Sequence, residues 1–324
     1  MRLELPTPDE ARSILHGFVA IASAEGSVSA LGAQERAMIQ AASSVLGANV
    51  DVDSLMPITP EELSKNLQRP SIRSQVIQGM VVMSLIDENA DAEVYKRVMR
   101  FADGLGVRPD ELNNLRQLVE GQTLSLRFDV ARRVWFMDRL KKAWSEGGFR
   151  WLARTLATLK LADNAPVAEK YRALGEYPEG TLGRCYFDHM REQGFPLAGE
   201  KGSQVEAVFI HDLTHLVAGY GTDARGEVLT ASFSAGNRRQ DPFTYIFFVV
   251  CQFHLGMRFS PFAPSETGAF DAQDALWAAK RGMEVNVDLS EDWDYWPDLA
   301  LSLDDVRAKL GISMALAPNG SAEN

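Results

Sequence analysis

Val76-Ile-Gln-Gly-Met80-Val-Val-Met83-Ser-Leu-Ile86, followed by Asp87-Glu88-Asn89, is the stretch whose reading decides the fold. Val76, Met80, Met83 and Ile86 return every three or four residues, which places them on one face of an α-helix. The acidic triplet breaks that helix, and a second is expected from Glu93 to Leu105, stopped by Gly106. About sixty residues upstream the same order occurs, as in an internal repeat. There Ile14, Leu15, Phe18, Ile21 and Ala22 line one helix, Glu25-Gly26 ends it, and Gln34 to Leu46 forms the next before Gly47. Strand signals are few anywhere in the chain, so the expected fold class is mostly all-α.

The repeat, two copies of helix, acidic turn, helix and closing Leu-Gly, resembles the tellurite-resistance protein B (TerB) family over roughly residues 10 to 118. The resemblance implies a helical domain over residues 1–119 whose turn acids can hold a metal ion. Glu25, Asp87, Glu88 and Asp91 stand at those turns. The alternative for them is helix capping with the carboxylates in water. A regulatory or scaffolding role is what the resemblance implies for this part.

Working outward, residues 120–312 are expected to form a larger helical domain, followed by a disordered tail from 313 to 324. A long helical stretch between Leu124 and Leu159, divided at Gly147-Gly148, carries Arg132, Arg133, Arg139, Lys141 and Lys142, the densest basic cluster of the chain. It reads either as a solvated helix face or as an anchor for acidic headgroups or a substrate phosphate. Thr181 is placed to cap a helix bearing Arg184, Tyr186 and His189, and Pro242 opens an almost wholly apolar helix to Phe253.

Composition bounds the function. Of 324 residues, 46% are hydrophobic and 24% charged, as in globular proteins that bury real cores. The net charge of −11 argues against nucleic acid, which needs a basic patch, and leaves any membrane contact mostly apolar. Cys185 and Cys251 are far apart with no CxxC spacing, which fits a reducing compartment and leaves metal binding to His and carboxylates. The start Met1-Arg-Leu-Glu-Leu-Pro shows no apolar segment with a cleavage site. A cytoplasmic protein is therefore expected, with peripheral attachment to the inner membrane face left open.

Chemistry concentrates in His211-Asp-Leu-Thr-His215, then eleven residues, then Glu227. At about 100° per residue, His211, His215 and Asp212 fall at about 0°, 40° and 100° of one helical arc. Imidazoles at i and i+4 can reach one ion without bending a helix. Gly219, Gly221 and Gly226 let the chain double back, so that Glu227 can offer a carboxylate to the same ion. Burying two histidines with two acids is costly unless a cation is shared among them. The alternative is two surface histidines and an unrelated capping acid.

His-Asp-x-x-His, eleven residues and Glu resembles the metal motif of the coenzyme Q (ubiquinone) biosynthesis protein 4 family. Pro178-Glu-Gly-Thr-Leu-Gly-Arg184 and Leu303-Asp-Asp-Val-Arg-Ala-Lys-Leu-Gly-Ile312 resemble two further family motifs. Together they span roughly residues 125 to 312, whereas the N-terminal helical part and the aromatic segment Glu291-Asp-Trp-Asp-Tyr-Trp-Pro depart from the family pattern. The resemblance implies His211, Asp212, His215 and Glu227 as metal ligands, with zinc expected and iron or another divalent ion as alternatives. It implies ubiquinone biosynthesis on a prenylated ring precursor, by oxidative decarboxylation at ring carbon 1, with Asp212 the candidate for a catalytic role. The same resemblance equally implies a non-catalytic lipid-binding scaffold that organises other ubiquinone-biosynthesis enzymes. Partners would then be an isoprenoid quinone precursor, those enzymes, a membrane surface, or a second copy of the chain. Arg184 is a candidate for a substrate carboxylate or diphosphate, against a structural ion pair. Phe247 and Phe248 are candidates for lining a tunnel for the prenyl tail, against ordinary core. A metal hydrolase is the third reading, opposed by Asp212 being shorter than the glutamate base of HExxH enzymes.

Overall fold

Thr7 opens the first helix by a reciprocal cap: its hydroxyl accepts from the Glu10 amide at 3.3 Å, while the Glu10 carboxylate accepts from the Thr7 amide at 2.8 Å. Pro8 fills the first helical position, where its missing N–H costs nothing. The same device, Thr59-Pro60 with Glu62, recurs at a short third helix. The computed structural model describes residues 2–23, 31–87, 91–131, 133, 165–203, 209–259 and 265–314.

Over these residues the protein is all-α, as the sequence predicts. The helices are α1 (Pro8–Ala22), α2 (Ala33–Val45), α3 (Pro60–Asn66), α4 (Pro70–Met83), α5 (Ala92–Leu105), α6 (Asp110–Val119) and α7 (Thr123–Ala131). They continue with α8 (Ala165–Arg172), α9 (Leu182–Glu192), α10 (Phe209–Ala218), α11 (Ala224–Asn237), α12 (Pro242–Phe253), α13 (Ala272–Met283) and α14 (Leu303–Leu310). Two isolated bridges, Thr181 with Ser302 and Leu255 with Thr267, are the β-type pairings among the described residues. No described helix is long and apolar enough to cross a membrane.

The two expected helix pairs form as α1–α2 and α4–α5. Both second helices stop the same way, with Gly47 and Gly106 in the left-handed region at φ 73° and 67° and the next amide reaching back across the last turn. Asp91 caps α5, accepting from the Val94 amide at 2.8 Å, which is the capping alternative. Glu25 and Glu88 lie outside the described residues.

Apolar surface gathers into two cores. One joins α1, α2 and α4 to α7 with Val228, Ala231 and Ala235 of α11, most of α12, and Ala272 and Ala275 of α13. The other joins α8 to α10 and α14 with Leu229 and Phe233 of α11 and Ala278 of α13. A boundary near residue 120 therefore runs through shared packing: α2 lies against α13, and α12 against α4 and α6. Polar contacts cross the same line. The His254 ring bonds the Ile86 carbonyl at 2.8 Å, and Arg133 donates to Glu111 at 3.1 Å and Asp241 at 3.2 Å. Arg133, offered from the sequence as part of a headgroup anchor, is instead a buried ion-pair partner with a side chain 7% exposed. The remaining cations of that cluster, Arg132, Arg139, Lys141 and Lys142, lie outside the described residues. Ser313 and Met314, counted with the tail from sequence, are held by Arg281, which donates to the Ser313 carbonyl at 2.6 Å. Residues 315–324 lie outside the described residues.

Candidate metal centre

Phe209 fixes the start of α10. Its ring sits 4.5 Å from Tyr186, 4.8 Å from Tyr171 and 5.1 Å from Tyr295, centroid to centroid, and stacks at 15° on Trp296. The aromatic segment around Tyr295 and Trp296 is thus the wall on which the helix carrying His211 and His215 is mounted. Sequence reasoning marked that segment as unusual but gave it no role.

The turn after α10 brings Glu227 back. Gly219 takes φ 76°, a conformation that costs an L side chain energy. Asp223 then caps α11, its carboxylate accepting from the Gly226 amide at 2.8 Å, which puts Glu227 in the first turn facing α10. Gly226 is required by close approach, since a Cβ there would sit 2.0 Å from the Gly221 carbonyl oxygen. That oxygen accepts from His215 Nδ1 at 2.8 Å, with Thr230 Oγ1 also 3.1 Å from the same nitrogen. With Nδ1 carrying the proton, His215 Nε2 is left with its lone pair free for an ion.

Three donors converge. His211 Nε2 and His215 Nε2 are 3.1 Å apart, His211 Nε2 lies 3.3 Å from Glu227 Oε2, and His215 Nε2 lies 3.6 Å from Glu227 Oε1. The imidazole planes cross at 88°. A tetrahedral ion with bonds of about 2.0–2.1 Å needs its donors about 3.3 Å apart. The two imidazoles approach different oxygens of Glu227, and taking one donor atom from each residue the three lie within 4.8 Å of one another, so the cluster has the size and the donor chemistry for a zinc-sized ion. Among the described residues this is the group of His, Cys and carboxylate side chains that draws within 4.8 Å.

The electrostatics favour the same use. Burial, with His211 beside it, pulls the His215 imidazole down to about 4, so it stays neutral and able to ligate at physiological pH. Burial alone would raise Glu227, but the two imidazoles outweigh it and hold the carboxyl below its ordinary value. Asp212 behaves differently. Burial pushes it up to about 7, with His211 opposing and Glu227 adding to the rise. It feels both His211 and Glu227 without being one of the three that converge. Three protein donors on a tetrahedral ion leave one position for water, substrate or Asp212.

The other sequence candidates are occupied elsewhere. Arg184 Nε donates to both Asp188 oxygens at 2.8 Å and Nη1 to the Gly175 carbonyl at 3.1 Å, the ion-pair alternative. Thr181 caps α9 as predicted, accepting from the Arg184 amide. Phe247 and Phe248 lie in the first core at 0% and 7% exposure.

Replacing Gly226 by Ala drives the Gly221 carbonyl away from His215. The expected result is a zinc affinity about 10- to 100-fold weaker, the scale set by losing a ligand's orienting partner. A competition titration with a chromophoric chelator reads it, and an unchanged affinity would show that the Gly221 bond does not orient the ring.

Fold and site together define an all-helical protein with a candidate two-histidine, one-carboxylate centre. No protein-family model and no curated protein matches the chain. Among solved structures it is similar to a crystal structure from Nostoc punctiforme of a protein whose name places it in ubiquinone biosynthesis. The two share 19% identity over 74% of this chain and 96% of that one, with a TM-score of 0.32. A likeness of that depth assigns neither chemistry nor substrate.

Proposed function

We propose that the protein binds a divalent cation, zinc foremost, through His211, His215 and Glu227, and acts in ubiquinone biosynthesis on a prenylated hydroxybenzoate. The observation that carries the metal is the convergence of three side chains, the two imidazoles 3.1 Å apart and each within 3.6 Å of a Glu227 carboxylate oxygen. The pathway rests on the sequence resemblance, in which all four motif residues match.

In the reaction proposed, the bond from ring carbon 1 to the carboxyl breaks and carbon dioxide leaves, a hydroxyl from water takes its place, and dioxygen accepts the two electrons and two protons removed and leaves as hydrogen peroxide. A bound cation supplies Lewis acidity toward the substrate's carboxylate or phenolate oxygen. His215 stays neutral because it is buried beside His211, and its bond to the Gly221 carbonyl orients the ring so that Nε2 faces that position. Glu227 compensates charge from the facing helix. Asp212, drawn up to about 7 beside the ligands, can hold or release a proton at its carboxyl near neutral pH.

The test is an isoprenoid-quinone extract from a strain lacking the gene, complemented with wild type or with Glu227→Ala. A prenylated intermediate that keeps its carboxyl, accumulating in both the empty and the Glu227→Ala strains, is the expected result. General loss of every late intermediate would replace the enzyme by a scaffold that organises the other enzymes, and normal quinone in the deletion strain would end the pathway assignment.

A further inference from the structure

The end of α10 is fully accounted for, by an unusual set of donors. A helix leaves its last four carbonyls without internal partners. In α10 these belong to His215, Leu216, Val217 and Ala218. His215 O is taken by the amides of Gly219 at 2.8 Å and Tyr220 at 3.0 Å. The other three go to two arginines from distant parts of the chain. Arg307 of α14 forks across consecutive carbonyls, Nη2 to Leu216 at 3.0 Å and Nε to Val217 at 3.1 Å. Arg281 of α13 gives Nη1 to Ala218 at 2.7 Å.

Both guanidinium groups are themselves fixed. Arg281 is 5% exposed, sits over the rings of Tyr220, Phe233 and Trp277, and also bonds the Ser313 carbonyl. Arg307 has a side chain 16% exposed and a further bond from Nη1 to Asp304 at 3.2 Å. Two positive charges at a helix C-terminus also oppose its negative end. His215 lies within the turn they grip, and His211 one turn before it.

We infer that Arg307 and Arg281 are positioning residues for the metal-ligand helix, setting the rotation of α10 that aims His211 and His215 at Glu227. The inference rests on the metal reading of the site. A planar fork spanning two consecutive carbonyls resists rotation about the helix axis in a way one bond cannot. Through it, residues 303–314 become mechanically part of the metal centre although none of them ligates.

The experiment compares full-length wild type with Arg307→Lys and Arg281→Lys, which keep the charge and lose the fork. Cobalt(II) serves as a spectroscopic probe of the donor geometry, and hydrogen exchange of the metal-free proteins follows the α10 amides. The expected result is folded variants with cobalt affinity about ten-fold or more weaker, an altered visible band, and faster exchange over residues 213–218 but not in α5. A residue that only stabilises the fold would lower the melting temperature and leave the cobalt band of the folded protein unchanged. A wild-type band with wild-type α10 exchange in Arg307→Lys overturns the inference. If wild type binds no cobalt, the metal reading fails by itself, and the exchange arm still decides whether the arginines orient α10. If Arg307→Lys does not fold, Asp304→Asn, which removes an exposed partner of Arg307, should give the same signature at about two- to three-fold, and no change there refutes it.

Discussion

His215→Ala is expected to reduce bound zinc from about one ion per chain to below a tenth of that, measured by elemental analysis of protein purified without added metal. His215 is the innermost donor, 2% exposed, and it alone is held by both the Gly221 carbonyl and Thr230. Losing a ligand costs more than losing a ligand's hydrogen-bond partner, whose removal already weakens binding about 10- to 100-fold. Glu227→Ala should behave the same way, since it removes the only donor supplied by the second helix of the converging three. Circular dichroism separates loss of metal from loss of fold. Full metal content in both variants would remove the three-donor site. A metal-free wild type would leave a polar cluster without an ion and give the scaffold reading the lead.

Gly282→Val is expected to lower stability by about 3 kcal/mol or more, at the upper end of what overpacking a closed core costs. Where α11 crosses α13 the two backbones touch. A Cβ at Gly282 would lie 2.0 Å from the Phe233 carbonyl oxygen, and one at Gly236 would lie 2.0 Å from that of Ala279. Backbone cannot move aside as the end of a side chain can, so the helices must separate. Their separation also displaces Arg281, the neighbour of Gly282, from the Ala218 carbonyl. The melting temperature should fall by about 4 °C or more. Gly202→Ala is the comparison, because its Cβ meets open space and only the left-handed backbone at φ 83° opposes it, at about 1–2 kcal/mol. Equal melting of the two variants would show that the crossing tolerates separation.

Much of this was legible in the residues because the signals were local. Thr181 as a cap, Pro242 as a helix start and Gly106 as a stop all act within one turn of themselves, and each stands where it was read. The histidine pair was legible for the same reason, since i and i+4 are neighbours on any helix. Glu227 needed one assumption, that the glycines close a turn, and the Cβ collision at Gly226 gives that assumption its physical cause. What the sequence hid was long-range or addressed to backbone. Arg281 and Arg307 bond carbonyl oxygens, which every residue carries, so no residue type marks their partners. The shared core was hidden because α11, Ala-Arg-Gly-Glu-Val-Leu-Thr-Ala-Ser-Phe-Ser-Ala-Gly-Asn, is buried on opposite faces and shows no single apolar stripe. Phe247 and Phe248 illustrate the limit of composition, for an apolar helix looks the same whether it lines a tunnel or fills a core.

That double burial of α11 has a consequence for how the chain comes off the ribosome. Val228, Ala231 and Ala235 complete the core begun by α1 to α7, yet they are synthesised about a hundred residues after α7, many seconds later at ordinary elongation rates. The early helices can form as they emerge, but among the described residues the elements that close their shared apolar face are α11, α12 and the start of α13. Nascent chains of this protein therefore present an uncovered surface for most of their synthesis, and the step that finally covers it is the same one that carries Glu227 to the histidines.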